Sequence, residues 1–187
     1  MSTKTVYSKK AEKYAKYRWD YAPRSLEVIF EITQLSVKSI IADIGAGTGI
    51  LTKHFVDQAQ KVYAIEPNLE MRQFLKNALE NFPSVSIMSS SAESTGLPNN
   101  SIDIVTVAQA IHWFDPEPAK EEILRILKKD AWLILLRNYG TDKEQSKAIG
   151  NLMKEEYGAD FSVVHERSIK TPINFYFGHD NFQKSTF

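Results

Sequence analysis

The 187-residue sequence predicts an α/β fold, a doubly wound and mainly parallel sheet, from three features. Short apolar runs alternate with segments of helical periodicity, as strands and crossover helices do in such sheets. The first apolar run ends in a glycine-rich turn, Asp43-Ile-Gly-Ala-Gly-Thr-Gly49. The second run ends in an acid, Glu66. Strand, glycine turn, helix, strand and acid in that order form the unit that binds a nucleoside at the crevice of an open α/β sheet.

Each element follows in turn. Helical patterns over residues 9–18 and 23–35 precede a buried strand at 39–44. After the glycine turn, Ile50, Leu51, Phe55 and Val56 predict a helix over 48–59 whose N-terminus points back at the ligand. A second strand, 61–66, is followed by a helix over 68–81 that Pro83 ends. Residues 85–89 form a short third strand, 89–100 an extended loop and 102–108 a fourth strand. Pro116 opens a helix with Ile123, Leu124, Ile126 and Leu127 at helical spacing, and 131–136 is the fifth strand. A helix over 143–157 and a loop containing Pro172 complete the chain. Right-handed crossovers are expected between the parallel strands.

Glycine spacing narrows the ligand. A dinucleotide fold uses G-x-G-x-x-G to set a pyrophosphate on a helix N-terminus, whereas here the glycines fall at 45, 47 and 49. A phosphate-cradling G-x-x-x-x-G-K-[ST] is absent. Asp43, close to the turn, repels phosphate but attracts a cationic amino group, directly or through water. The pattern suits a ligand that carries an ammonium and a ribose but no phosphate.

From about Tyr7 to Leu136 the chain resembles the class I S-adenosylmethionine-dependent methyltransferases, with DIGAGTG at 43–49, AIEPNLEM at 64–71, SSSAESTGLP at 89–98 and VAQAIHWFD at 107–115. The HWF after the fourth strand is similar to the small-molecule branch that includes trans-aconitate methyltransferase-like proteins. The resemblance implies a Rossmann-like methyltransferase fold with S-adenosylmethionine as cofactor and S-adenosylhomocysteine as product.

Residue by residue, the resemblance puts Gly45, Ala46 and Gly47 along the methionine part of the cofactor, with Asp43 near its amino group. It gives the ribose hydroxyls to Glu66, and the adenine or its covering helix to Pro67, Asn68 and Met71. Ala92 and Glu93 fall beside the adenine edge. Ser91 stands where many relatives have an aspartate, a weaker and uncharged acceptor for the adenine amine. Gln109 and Ala110 come beside the sulfonium, and His112, Trp113 and Phe114 face the methyl. Arg18 and the tyrosines Tyr7, Tyr14, Tyr17 and Tyr21 belong to a segment that covers the cofactor. Blander roles remain open: Met71 as a core residue, His112 as a packed and hydrogen-bonded one, and the arginines as solvated.

Methyl transfer from a sulfonium is an in-line displacement, so the chemistry asks chiefly for alignment. A hydroxyl or ammonium acceptor requires a base, for which His112 is the candidate. A carboxylate acceptor requires none, and Arg137 at the end of the fifth strand is the candidate clamp, with Arg18 a second. The expected activity is methyl transfer to a small-molecule oxygen nucleophile. A cofactor-binding domain without turnover and an NAD-dependent oxidoreductase are the alternatives.

Composition sets bounds. With 43% hydrophobic residues the chain suits a single domain, divided into an N-terminal helical lid (1–38), a cofactor-binding core (39–136) and an incomplete C-terminal part (137–187). A formal net charge of zero argues against a nucleic-acid surface. No apolar stretch approaches membrane-spanning length. The absence of cysteine excludes disulfides and thiolate metal sites, predicts no metal, and fits a cytoplasmic home. The family resemblance implies an antiparallel hairpin after the fifth strand; the sequence instead predicts a form lacking those C-terminal strands. The apolar stretch 173–177 and Phe187 are then poorly suited to water, and self-association through an exposed sheet edge is expected.

Overall fold

The computed structural model describes residues 20–138, 174–177 and 184–186. The chain divides into two compact units, one of Met1–Leu136 with Ser185–Phe187 and one of Arg137–Lys184. In the second, Asn174–Phe177 form a single helical turn. The helices expected over 9–18 and 143–157 lie outside the described residues, as do Arg18, Pro172 and Phe187.

In the first unit the elements are α1 (Pro23–Thr33), β1 (Ile40–Ile44), β2 (Lys61–Ile65), α2 (Leu69–Leu79), β3 (Val85–Met88), β4 (Ile102–Ala108), α3 (Pro116–Ile126) and β5 (Leu127–Leu136). The five strands form one sheet in the order β3-β2-β1-β4-β5. All neighbouring pairs are parallel. The chain reverses its direction of winding between β1 and β4, so the crevice for a ligand opens at their carboxyl ends.

Alternation along the strands feeds two apolar layers. Ile41 of β1, Val62 of β2 and Ile104 of β4 pack with Leu26 and Ile29 of α1 and with Leu51 and Phe55. Ala64 of β2 joins Leu75 and Leu79 of α2. On the opposite face Ala42 and Ile44 meet Val105 and Val107, under Ala119, Ile123 and Ile126 of α3. Helices on both faces explain why the strands read as near-continuous apolar runs.

Local chemistry fixes the helix ends. Pro23 and Pro116 start α1 and α3, where a missing N–H costs nothing. The Asn68 side chain caps α2 by accepting from the Met71 N–H at 2.9 Å.

Two expectations require correction. Residues 48–59 are not an α-helix: a 3₁₀ turn at Thr52–His54 sits among tight turns. Lys53 donates to the Gly49 carbonyl four residues back, but His54 and Phe55 donate only three back, to Leu51 and Thr52. The Thr52 hydroxyl is drawn to Asp43 at 2.6 Å, which ties this segment to the end of β1. The β-branched Ile50, Thr52 and Val56 also weaken a regular helix here. Too few peptides are aligned here for a macrodipole to point at the turn.

The fifth strand begins at Leu127 rather than at residue 131. Ile102 pairs with Leu127 and Ile104 with Trp132, so extra residues bulge between these pairs. Asp130 takes a positive φ of 60° within that bulge. The sequence signal detected only the regular pairing beyond it.

The loop after β3 is held by a buried polar network. Glu122 of α3, 9% exposed, accepts from both the N–H and the hydroxyl of Thr95 and pairs with Arg125 at 2.7 Å. Arg125 also donates to the Leu97 carbonyl. The Arg125 guanidinium, with help from Thr95, holds the Glu122 carboxyl down at about 2 against the opposing effect of burial. Its stabilisation is complete above the ordinary carboxylate pKa and is lost as pH falls towards 2. Glu122→Ala, which strands the Thr95 N–H, is expected to cost about 3 kcal/mol in chemical denaturation at neutral pH, and Glu122→Gln markedly less.

Candidate cofactor site at the carboxyl ends of the strands

The glycine turn is pinned to β2. Gly45 and Ala46 both donate N–H to the Ile65 carbonyl, at 2.9 and 3.0 Å. The Gly47 N–H donates to Glu66 Oε2 at 2.9 Å, and the Asn68 N–H to Glu66 Oε1 at 2.8 Å. Arg72 donates to the Glu66 carbonyl. Glu66 is 8% exposed, and burial raises its pKa against the lowering effect of these backbone bonds. Each carboxylate oxygen retains acceptor capacity for a further donor.

The first two glycines are required for different reasons. A Cβ on Gly45 would fall 2.5 Å from the Ala110 Cβ, and the Phe114 ring lies 3.7 Å from the same point. Close approach of the segment after β4 thus dictates that residue. A Cβ on Gly47 would meet nothing within 4 Å among the described residues. Its positive φ of 58° instead presents bare backbone to the open side of the turn.

Asp43 lies beneath the turn, 1% exposed. The register puts it opposite Thr106 of β4. It accepts from the Thr106 hydroxyl at 2.9 Å and from the Thr52 hydroxyl at 2.6 Å. Burial pushes its carboxyl up to about 6, against the lowering effect of both hydroxyls, and the Glu66 charge adds to the rise.

A cleft runs between Asp43, the turn 45–48, Ala108 at the end of β4, and Tyr21. Tyr21 precedes α1 and is 8% exposed. Its neighbour Asp20 pairs with Lys53 at 2.7 Å and His54 at 2.9 Å, clamping this stretch to the 3₁₀ turn. Thr48 also lines the cleft, and its buried hydroxyl has no hydrogen-bond partner among the described residues. Sequence reading missed Thr48, Thr52 and Thr106 as site residues. For Thr106 the available signal was a lone hydroxyl inside the apolar run of β4.

On the far side of the turn, Gln109 takes a positive φ of 56°, rare for a residue with a side chain, and donates its N–H to the Leu136 carbonyl. The bend carries Ala110 onto Gly45 and leads into a 3₁₀ turn, Ile111–Trp113, where the His112 and Trp113 rings lie 4.8 Å apart. Ser91 forms a bridge with Ser94, and Ala92, 4% exposed, packs into the core. The Glu93 carboxylate accepts from the Asp115 N–H at 2.9 Å. Met71 is buried and Pro67 exposed. Arg137 falls in the second unit. Among the described residues no group of three or more His, Cys, Asp or Glu is placed to hold a metal ion, and no helix is long and apolar enough to cross a membrane.

A turn that offers bare backbone beside a buried acid matches a known domain: the family model described as "Methyltransferase domain" covers residues 42–135. The chain belongs to this methyltransferase family. It is 34% identical over 126 residues to an uncharacterized methyltransferase of Schizosaccharomyces pombe, covering 67% of this chain and 49% of that one. It is 36% identical over 125 residues to an uncharacterized methyltransferase of Mycobacterium tuberculosis, again covering 67% and 49%. The chain spans about half the length of these curated relatives. The methyltransferase fold itself is shared with the YcgJ protein of Bacillus subtilis, at 24% identity and a TM-score of 0.59 over 76% of this chain and 68% of that one. It is also shared with a SAM-dependent methyltransferase of Aquifex aeolicus, at 21% identity and a TM-score of 0.59 over 79% and 86%. S-adenosylmethionine is the cofactor of this family. The open face at Gly47, the acceptor capacity of Glu66 and the unpartnered Thr48 hydroxyl fit a ligand rich in hydroxyl and amino groups.

Two outcomes test the geometry. Because the Asp43 pKa is raised, the folded state holds an extra proton between the ordinary value and 6; its stability contribution falls as pH rises through that window and is constant above it. The loss is about 3 kcal/mol, so denaturation of the wild type should lose that much relative to Asp43→Asn between roughly pH 4 and 6. Gly45→Ala is expected to lower stability by about 3 kcal/mol through overpacking, and Gly47→Ala by about 1–2 kcal/mol through backbone strain alone, measured by thermal unfolding.

Proposed function

We propose that this chain transfers a methyl group from S-adenosylmethionine to a small-molecule acceptor, at an oxygen nucleophile such as a carboxylate. The observation that carries the reading is the Glu66 carboxylate, buried at the end of β2 and joined to Gly47 beside a turn face that no side chain among the described residues covers. When bound, S-adenosylmethionine supplies a methyl already activated on a sulfonium.

The residues divide the work. Glu66 would accept from the ribose hydroxyls through its remaining lone pairs. Gly45, Ala46 and Gly47 would line the methionine part, with Asp43 as counter-charge to its ammonium. Pro67, Met71, Ser91, Ala92 and Glu93 border the adenine side in this reading. Gln109 and Ala110 lie at the sulfonium side, where the Phe114 ring is drawn close to Gly45. An aromatic face there attracts a cation by about 0.5–2 kcal/mol when desolvated. With an oxygen acceptor already ionised, alignment alone suffices; with a hydroxyl, His112 takes the proton. Arg137 and Arg18 are assigned to the acceptor's carboxylate and to the cofactor, respectively. The HWF segment, similar to trans-aconitate methyltransferase-like proteins, supports the small carboxylate. The end position of β5 in the strand order supports self-association, and the absence of cysteine a cytoplasmic protein. A cofactor-binding domain without turnover is the second reading, favoured by Ser91, a weaker and uncharged acceptor for the adenine amine.

Calorimetric titration with S-adenosylhomocysteine tests the proposal. Wild-type binding is expected, weakened roughly tenfold or more by Glu66→Gln, which removes a charged acceptor. Binding should also strengthen as pH rises from 5 to 7, because the ammonium favours ionised Asp43, whose pKa is about 6. A folded chain that binds no S-adenosylhomocysteine at any pH would overturn the reading.

A further inference from the structure

We propose that Glu93 is a positioning residue that couples the nucleoside side of the site to the aromatic segment 112–114. This role depends on the methyltransferase reading for the identity of the two ends; the contact itself does not. β3 and β4 are separated in the sheet by β2 and β1, a span of roughly 14 Å at ordinary strand spacing. The loop between them is drawn across that span by Thr95 on Glu122 and by the buried Leu97. The Ser91–Ser94 bridge tightens its first part, with Ala92 packed in the core. The next residue, Glu93, accepts from the Asp115 N–H at 2.9 Å.

The Asp115 N–H is a scarce donor. Helix α3 begins Pro116-Glu-Pro118, so two of its first three residues have no N–H to offer. Asp115 makes no side-chain capping bond of its own. A carboxylate brought from another loop meets both the N–H and the positive end of α3. The preceding residue, Phe114, carries the ring that lies against Gly45. The backbone bonds within 110–114, Trp113 N–H to Ala110 and Phe114 N–H to Ile111, are local, while Trp113 and Phe114 pack against the core. Glu93 adds a hydrogen bond from the loop after β3. A nucleoside seated at Ser91 and Ala92 would restrict this loop and, through Glu93, the aromatic segment.

Amide hydrogen exchange tests this in three proteins: wild type, Glu93→Ala and Glu93→Gln. Without ligand, the Asp115 amide is expected to exchange about tenfold faster or more in Glu93→Ala, and close to the wild-type rate in Glu93→Gln, which keeps an acceptor. Adenosine, which has the nucleoside but no sulfur, is expected to protect the amides of residues 110–115 in the wild type and in Glu93→Gln. In Glu93→Ala, brought to saturation as followed by calorimetry however much weaker the binding, adenosine should give no such protection. Should Glu93→Ala not fold, Glu93→Asp, one methylene shorter, provides the same comparison. An unchanged Asp115 amide, or adenosine protection that survives in the short variant, overturns the proposal. If wild type binds neither adenosine nor S-adenosylhomocysteine, the coupling falls together with the methyltransferase reading, while ligand-free exchange still decides whether Glu93 holds Asp115.

Discussion

The junction on which the site depends is the buried carboxylate of Asp43 with the two threonine hydroxyls it accepts. Asp43 stands one residue before the end of β1, Thr106 belongs to β4, and Thr52 to the turn that follows the glycines. One side chain thereby joins the two strands between which the sheet changes winding direction and fixes the return path of the chain above them. Burying it is costly, and the raised pKa expresses that cost. The hydroxyls offset part of it. The pocket floor is therefore polar, rigid and poised to favour positive charge, whereas an apolar residue at position 43 would leave the threonines without acceptors.

Glu66 closes the same turn from the other side. Its two oxygens hold the backbone at Gly47 and Asn68, so the end of β2 and the start of α2 are fixed relative to the glycines before any ligand arrives. Preorganisation of this kind lowers the ordering cost of binding. The two acids also act on each other, since each is buried and the Glu66 charge helps to raise Asp43.

Much of this was legible in the sequence because it is set by short-range patterns. The four apolar runs through residue 108 fall on strands, Pro23 and Pro116 mark helix starts, and Glu66 directly follows β2, as its position at the end of the second run requires. What the sequence did not reveal depended on partners distant along the chain. Periodicity over 48–59 signalled a helix, but Thr52 is drawn to a carboxylate nine positions earlier, and the segment tightens into turns. Thr106 resembled an ordinary strand residue until pairing set it opposite Asp43. Glu93 resembled a ligand-side acid, yet its carboxylate is engaged by a backbone N–H 22 residues away. The bulge at Asp130 hid the true start of β5, because periodicity cannot register residues that a strand skips.

α3 ends at Ile126 and β5 begins at Leu127, with no residue between them. A helix and a strand joined without a linker have no slack to absorb inserted residues: each addition would rotate the helix's apolar face away from the sheet or shift the strand's register. Length variation among related chains should therefore concentrate at other connections, and this joint should behave as a fixed ruler between the helical layer and the sheet.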